Sequence, residues 1–216
     1  MKNNFLPPSL LLIPVLSLGL TAQAQSNFEI GGLALATAYN SAGVKSGPSL
    51  GSIGFQPGPS VGGFLGQNLS ERIGGEVRYL YAQNNLKLSS GGAQTTFSGR
   101  SHIVHYDLLL SPVRRRARIR PYVAGGGGLK YYQGTGTEQA IQPLSNLAIL
   151  TKTNETLPTV DFGGGVKIRT SSRMTFRVEF RDYITKVPKV FAASPGAKIS
   201  GILHQWVPAF GVSWTF

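Results

Sequence analysis

The sequence contains no cysteine, so disulfide bonds and thiolate chemistry are unavailable to it. Beyond its first 24 residues it also lacks any stretch close to the ~20 continuous apolar residues of a membrane-spanning helix. Acidic residues are few: nine Asp and Glu stand against 21 Lys and Arg, which gives a formal net charge of +12. If the mature chain lies in a membrane, it must do so as a closed β-barrel, because hydrocarbon tolerates no open sheet edge.

Residues 1–24 are predicted to be a secretory signal peptide rather than part of the fold. A basic residue precedes an apolar region at positions 5–20, and Ala22 and Ala24 form a small-x-small cleavage site. A transmembrane anchor is the rival interpretation, but prolines interrupt the apolar region and the cleavage motif follows it. We therefore expect export of the chain and a single all-β domain over residues 25–216.

The excess of positive charge favours one class of partner over another. In an exported chain, affinity for phosphate-bearing lipid at a membrane surface explains this charge better than nucleic-acid binding does. Four of the basic residues are concentrated in one short stretch, namely Arg114, Arg115, Arg116 and Arg118. They form either a solvated charge run or a contact with anionic headgroups.

Eight segments of the predicted mature chain alternate between apolar and polar residues. They cover residues 28–39, 60–69, 72–83, 102–110, 119–132, 159–169, 173–184 and 205–216. Each provides the ~9–11 residues that a tilted strand needs to cross the hydrocarbon. Because successive side chains of a strand point to opposite faces, one face of each segment is apolar. Glycines blur the alternation in the second segment, and we expect a bulge at Pro208, which cannot donate to a ladder.

The connections between these segments alternate in length. Four long ones cover residues 40–59, 84–101, 133–158 and 185–202, and three short ones cover residues 70–71, 111–118 and 170–172. Long loops on one side and short turns on the other are typical of an outer-membrane barrel, whose long loops face the outside. The long connections are rich in turn-forming residues and free of strong alternation, so we expect exposed surface loops.

The last segment combines strict alternation with exposed aromatic residues. It resembles the C-terminal assembly signal of bacterial outer-membrane β-barrels at Gly211, Trp214 and Phe216. With its strand pattern, the chain resembles the small eight-stranded outer-membrane β-barrel proteins of the OmpA transmembrane domain, OmpX and opacity-protein kind. The resemblance implies an all-β, eight-stranded antiparallel up-and-down transmembrane barrel in the outer membrane. Its implied partners are outer-membrane lipid, lipopolysaccharide and the barrel-assembly machinery.

The inward-facing side of the predicted barrel carries many charges. The interior of an eight-stranded barrel is only wide enough for side chains, and unpaired buried charges there would each cost several kcal/mol. We therefore expect a lumen ion-pair network of six residues, which are Glu76, Arg78, Asp107, Arg177, Glu179 and Arg181. The third and seventh strands lie opposite each other in an eight-strand ring, so Glu76 is expected to pair with Arg177 or Arg181, and Glu179 with Arg78. The alternative is that these charges lie hydrated and independent near the rims.

Neither glycines nor histidines indicate a cofactor or metal site. The glycine runs at 125–128 and 163–165 precede no helix pattern, so they are expected to bend the strands and let aromatic neighbours lie against the backbone. His102 and His105 are three residues apart, face opposite sides of a strand and cannot share one metal ion. We expect no metal and no cofactor.

The sequence thus predicts a non-enzymatic outer-membrane barrel with a structural or surface-binding role, four long extracellular loops and a side-chain-filled lumen. Two alternatives remain. An enzyme that modifies outer-membrane lipid would need a serine, a histidine and an acid together at the outer rim, where Ser101, His102 and His204 are the candidates. A soluble periplasmic ligand-binding barrel would need its apolar face inside, whereas the charged residues occupy the face opposite the aromatic ones.

Overall fold

The computed structural model describes residues 28–139 and 141–216. The predicted signal peptide, including Ala22 and Ala24, lies outside the described residues. Within the described part of the chain, no helix is long and apolar enough to cross a membrane.

Fifteen β-strands form the fold of the described residues. In chain order they are β1 (Phe28–Tyr39), β2 (Ser41–Ser46), β3 (Ser49–Phe55), β4 (Gly58–Asn68), β5 (Ile73–Gln83), β6 (Leu86–Ser90), β7 (Ala93–Phe97), β8 (Gly99–Leu110), β9 (Ile119–Gly134), β10 (Ala148–Leu150), β11 (Asn154–Arg169), β12 (Met174–Lys186), β13 (Phe191–Ala193), β14 (Ala197–Ser200) and β15 (Ile202–Thr215).

Eight of these strands close into one antiparallel barrel in the order β1-β15-β12-β11-β9-β8-β5-β4. The barrel closes where β1 pairs with β15, with a register that runs from Glu29 opposite Thr215 to Tyr39 opposite Gln205. The eight-stranded antiparallel barrel predicted from the sequence is therefore confirmed. Short turns join β4 to β5, β8 to β9 and β11 to β12, and they lie at one end of the barrel, called here the short-turn end.

The barrel has an apolar outer face and a largely polar inner one. Outward-facing residues such as Val104, Phe162, Val178 and Phe210 are exposed. In strand β4, where glycines blur the alternation of the sequence, Val61 and Leu65 face outward and Phe64 is buried inside. Because the outward-facing residues in the middle of the barrel strands are apolar, the barrel presents an apolar belt to its surroundings.

The prediction of a bulge at Pro208 is wrong. Pro208 lies opposite Phe180 on β12, and the register between β12 and β15 continues without an inserted residue from Met174 to Lys186. On the other side the pairing with β1 skips Ala36 and Thr37 and resumes in the same register. The proline therefore interrupts the ladder on one side only, where its missing N–H is tolerated without an extra residue.

The long connections are not strand-free loops, which corrects the expectation from the sequence. They contain seven strands that form a five-stranded sheet in the order β14-β2-β3-β6-β7 and a two-stranded sheet of β10 and β13. We call this layer the cap. Its strands are three to seven residues long, too short for an alternation of period two to stand out among glycines and serines.

The cap has an apolar core of its own, separate from the lumen of the barrel. Fourteen buried residues form it, and they are Ala42, Val44, Ile53, Phe55, Leu86, Leu88, Phe97, Tyr132, Leu147, Ala148, Leu150, Val190, Phe191 and Leu203. Tyr132 and Leu203 belong to barrel strands, so this core rests directly on the long-loop end of the barrel. The Phe55 ring packs at centroid distances of 5.2 Å from Phe191 and 5.3 Å from Tyr132. The cap therefore covers the end of the barrel opposite the short turns.

Candidate functional site in the barrel lumen

The middle of the lumen holds three arginine side chains that have no solvent exposure. Arg78 projects from β5, and Arg177 and Arg181 project from β12. In the barrel order three strands separate β5 from β12 in either direction, so the two strands lie opposite each other. Inward-facing arginines on these strands therefore meet near the barrel axis.

Arg78 makes ion pairs along its own strand and across the lumen. Its guanidinium contacts the Glu76 carboxylate on β5 and the Glu179 carboxylate on β12, with Nη2 donating to Glu179 Oε2 at 3.0 Å. The Tyr122 hydroxyl donates to the same Glu179 oxygen at 2.5 Å. The Glu179 carboxylate thus accepts hydrogen bonds from two other strands, which ties β5, β9 and β12 together.

Arg177 makes its ion pairs nearer the short-turn end of the barrel than Arg78 does. Its Nη1 lies 2.9 Å from Glu76 Oε2 across the lumen, and its Nη2 lies 3.0 Å from Glu29 Oε1 on β1. The guanidinium carbon lies 3.7 Å from the centroid of the Phe64 ring on β4. A cation over an aromatic face is stabilised by the ring quadrupole, most strongly where water is excluded. One arginine thus connects four strands of the barrel.

Arg181 lies nearer the cap, where it contacts two aspartates. Its Nη1 lies 3.0 Å from Asp161 Oδ2 and 3.3 Å from Asp107 Oδ2. His105 Nδ1 lies 2.8 Å from Asp107 Oδ1 and 3.3 Å from Asp161 Oδ1, and His105 Nε2 is 3.2 Å from the Tyr183 hydroxyl. His105, Asp107 and Asp161 are close enough to hold a metal ion, but both carboxylates already face the Arg181 guanidinium through their Oδ2 atoms and the His105 ring through their Oδ1 atoms.

The structure thus brings together all six residues of the network expected from the sequence. It pairs Glu179 with Arg78 and Glu76 with Arg177, and it places Glu76 Oε1 3.7 Å from Arg181 Nη2. The carboxylates of Glu29 and Asp161 belong to the same network. We call these eight residues the lumen network. Such charges are stable in a low-dielectric interior only because each faces an opposite charge or a hydrogen-bond donor.

Among the inward-facing cations outside the lumen network are Lys130 and Arg120, which lie towards opposite ends of the barrel. Lys130, near the cap, contacts Gln205 and lies 4.6 Å from the centroid of the Tyr132 ring. Arg120, near the short-turn end, donates to Asn68 Oδ1 at 3.3 Å. The alternation of side chains along β9 predicted that both residues face the lumen. They lie nearer the ends of the barrel than the carboxylates in its middle.

The glycine runs make room for the charged side chains. A Cβ atom at Gly163 would lie 2.7 Å from Arg181 Cδ, and one at Gly126 would lie 2.2 Å from Asp107 Oδ1. At both positions it would also come within 2.1 Å of a backbone oxygen. The glycines were expected to accommodate aromatic neighbours. These two instead admit an arginine and an aspartate, because they face the lumen.

Comparison with known proteins identifies the family. The model of the family described as "Outer membrane protein beta-barrel domain" matches residues 9–216. The chain belongs to this family. The predicted resemblance and the location in the outer membrane are thereby confirmed, and the apolar belt of the barrel is its lipid-facing surface. A search of curated protein sequences finds no match.

Solved structures of low sequence identity share the fold. Neisserial surface protein A is 11% identical, covers 88% of this chain and 97% of its own, and superposes with a TM-score of 0.54. OprG of Pseudomonas aeruginosa is 12% identical, covers 88% of this chain and 96% of its own, with a TM-score of 0.55. AlkL, solved in lipid bilayers, is 11% identical, covers 100% of this chain and 97% of its own, with a TM-score of 0.51.

Aromatic side chains lie at both ends of the lipid-facing belt of this barrel. Tyr79 and Trp206 face outward towards the cap end, whereas Phe28, Trp214 and Phe216 face outward at the short-turn end. Aromatic rings at these two levels match the girdles that outer-membrane barrels place at the membrane interfaces. Gly211, in contrast, faces inward, where a Cβ atom would lie 2.6 Å from Leu33 Cδ2 and 2.8 Å from Arg177 Cγ.

Sequence reasoning missed the neutral members of the site. Tyr122, Tyr183 and Phe64 contact the charged groups, and all three are buried inside the barrel. Tyr122 and Tyr183 share the inward parity of the charges, which is a signal that could have found them. Phe64 lies in the strand whose alternation is blurred by glycines.

Proposed function

We propose that the protein is a non-enzymatic outer-membrane barrel with a closed lumen, which stabilises the envelope and presents its cap as a binding surface outside the cell. The buried lumen network carries this proposal. Three arginines without solvent exposure fill the middle of a barrel whose interior is only wide enough for side chains.

Closure of the lumen is supported at two further levels. The lumen also holds an apolar cluster of buried inward-facing residues, including Leu80, Ile103, Tyr183 and Val207. Above it, the cap core rests on the barrel end. A water-filled path would have to pass charged pairs, an apolar layer and the cap, so we propose a barrier rather than a pore.

The outward position of the cap is supported by the asymmetry of the connections. Outer-membrane barrels have short turns on the periplasmic side and long extracellular loops. The four segments that build the cap carry five lysines and one glutamate, and these are Lys45, Lys87, Glu138, Lys152, Lys189 and Lys198. Anionic molecules such as the phosphates of lipopolysaccharide are therefore the partners that this surface would attract.

The non-enzymatic role is supported by the hydrogen bonds of the three histidines. A lipid hydrolase would need a histidine that activates a hydroxyl nucleophile. His102 Nδ1 bonds the Tyr79 hydroxyl at 2.8 Å, and His204 Nδ1 bonds Asp182 Oδ2 at 2.7 Å. His105 is buried and bonds Asp107 of the lumen network and the Tyr183 hydroxyl. A histidine paired with an aspartate, as His204 is with Asp182, also occurs in hydrolases, but there the histidine contacts a nucleophilic hydroxyl. Among the described residues, none of the three histidines is hydrogen-bonded to a serine or threonine hydroxyl. The soluble alternative is disfavoured by the family and by the apolar outer face.

The closed lumen is tested by conductance of the purified folded protein in planar lipid bilayers. We expect no steady conductance above that of the lipid, because the network and the apolar cluster fill the lumen and the cap covers its outer end. Folding of the sample is checked by the heat-dependent shift in gel mobility that membrane barrels show, with a boiled sample as the control. A large, steady conductance from heat-shiftable protein would refute the barrier and leave the family membership untouched.

We further propose that Gly211, Trp214 and Phe216 act as the signal read by the barrel-assembly machinery. The backbone N–H of Phe216 donates to Phe28 O at 3.1 Å, so this residue lies at the seam where the barrel closes. Phe216→Asp should leave exported but unfolded, protease-sensitive protein, because a charge would replace a lipid-facing aromatic ring at the seam. The matched control is Leu50→Asp, at an equally exposed leucine of the cap. Normal insertion of the Phe216 variant would contradict the proposal.

A further inference from the structure

The short-turn end of the barrel contains a pocket that the closed-lumen function does not use. Its volume is about 270 Å³, and basic residues dominate its lining: Arg115, Arg116, Arg120, Lys167 and Arg169. The remaining polar groups of its lining include the hydroxyls of Ser172, Thr175 and Thr215. The turn between β8 and β9 contributes two of the arginines, and inward-facing positions on the barrel strands contribute the other three cations.

The positive charge of this pocket is not neutralised by its own lining. Glu29 is the acidic residue of the lining, and its carboxylate is shared by Lys167 at 2.6 Å, Arg177 at 3.0 Å and the Ser213 hydroxyl at 2.5 Å. Among the described residues, no carboxylate lies within ion-pair distance of Arg116 or Arg120. A concave surface with one sign of charge concentrates ions of the opposite sign.

Arg120 is the strongest single indication of a ligand. Arg120 is only 8% exposed, yet its Nε–H has no hydrogen-bond partner among the described residues. Its Nη1 reaches only the neutral Asn68 side chain, at 3.3 Å. Burying a guanidinium without an opposite charge is costly, and an arginine in such a position is stabilised when an anion enters the pocket.

On its inner side the pocket adjoins the lumen network. At its inner end lie Glu29 and Lys167, which are held in the ion pairs that lead into the lumen network. A small ion that enters from the short-turn end therefore meets the closed middle of the lumen. This arrangement suits a binding site rather than the entrance of a channel.

We propose that this pocket binds a phosphoryl group. Arginine forks match the oxygens of phosphate with paired, charge-assisted hydrogen bonds, and threonine and serine hydroxyls can donate to the remaining oxygens. Two sources share this chemistry: a free phosphate or phosphate ester, and the headgroup of an anionic phospholipid of the neighbouring leaflet. In the orientation proposed above, either would approach from the periplasmic side.

The test is a calorimetric titration of the folded full-length protein in an uncharged maltoside detergent. The probes are pyrophosphate, glycerol phosphate and a short-chain phosphatidylglycerol. We expect one site per barrel for at least one probe. Tighter binding of phosphatidylglycerol than of glycerol phosphate by about tenfold or more would indicate a lipid headgroup, because the acyl chains then add apolar contact. Similar affinities would indicate a free phosphoryl ligand.

The variants Arg116→Gln and Arg114→Gln form a matched pair. Both residues lie in the same turn and are exposed, but only Arg116 lines the pocket. Arg116→Gln should weaken binding roughly tenfold, as expected for a lost charge-assisted hydrogen bond, whereas Arg114→Gln should change it by less than about twofold. Arg120→Gln should weaken binding at least as much as Arg116→Gln does. If the Arg120 variant does not fold, the Arg116 variant alone provides the test.

Two results would overturn the phosphoryl site. One is the absence of saturable binding for all three probes. The other is an equal loss of affinity in the Arg114 and Arg116 variants, which would show diffuse attraction to a basic turn instead of a defined pocket. Neither result depends on whether the lumen conducts ions, so the outcome is separate from the test of the proposed function.

Discussion

Glu179→Ala is expected to lower the free energy of unfolding of the barrel by about 3–5 kcal/mol. The change removes the carboxylate that faces Arg78 across the lumen and that accepts the Tyr122 hydroxyl. The Arg78 guanidinium, which has no solvent exposure, would keep Glu76 as its one carboxylate partner among the described residues. An uncompensated buried charge of this kind is what makes the loss of one partner so costly. Unfolding by urea in lipid vesicles measures the effect.

A double-mutant cycle with Arg78→Ala separates the pair from the general cost of each substitution. The double variant should be more stable than the sum of the single effects predicts, by about 0.5–3 kcal/mol. The matched control is Lys189→Ala, which removes an ion pair of 3.4 Å to Glu155 from a lysine side chain that is 82% exposed. That change should cost about 0–1 kcal/mol, because solvent screens exposed pairs. Strict additivity at Glu179 and Arg78 would contradict the lumen network as a coupled unit.

Val178→Arg is expected to destabilise the barrel by about 2–4 kcal/mol, the cost of an arginine near the bilayer midplane of a barrel. Val178 faces outward from the middle part of β12, between Val166 on β11 and Phe210 on β15. The arginine side chain would therefore be surrounded by apolar residues of the lipid-facing belt. Equilibrium unfolding in lipid vesicles again measures the loss.

The control for this prediction is a second outward-facing residue at a different depth. Ile119 is the first residue of β9 and lies next to the short turn between β8 and β9. Ile119→Arg should cost only about 0–1 kcal/mol, because the side chain can reach the headgroup region. Equal costs at Val178 and Ile119 would show that the apolar belt does not correspond to the hydrocarbon of the membrane.

The sequence by itself determined the barrel, because the signals for it are local. Alternation with period two within each strand decides which residues face lipid and which face the lumen. Eight such segments and the alternation of short and long connections determine the strand order of an up-and-down barrel. That order also placed β5 opposite β12, which is why Glu76, Arg78, Arg177 and Glu179 could be expected to meet.

Only the tertiary structure decided the features that depend on height along the barrel and on packing between distant segments. The cap core joins short strands from four separate connections, and none of them shows an apolar face long enough to be recognised alone. Arg120 and Arg177 both face the lumen, yet Arg120 lies in a pocket without a carboxylate partner among the described residues, and Arg177 lies in the lumen network. Parity is a property of one strand, whereas the partner of a buried charge is determined by strand tilt, register and the side chains that reach across the lumen.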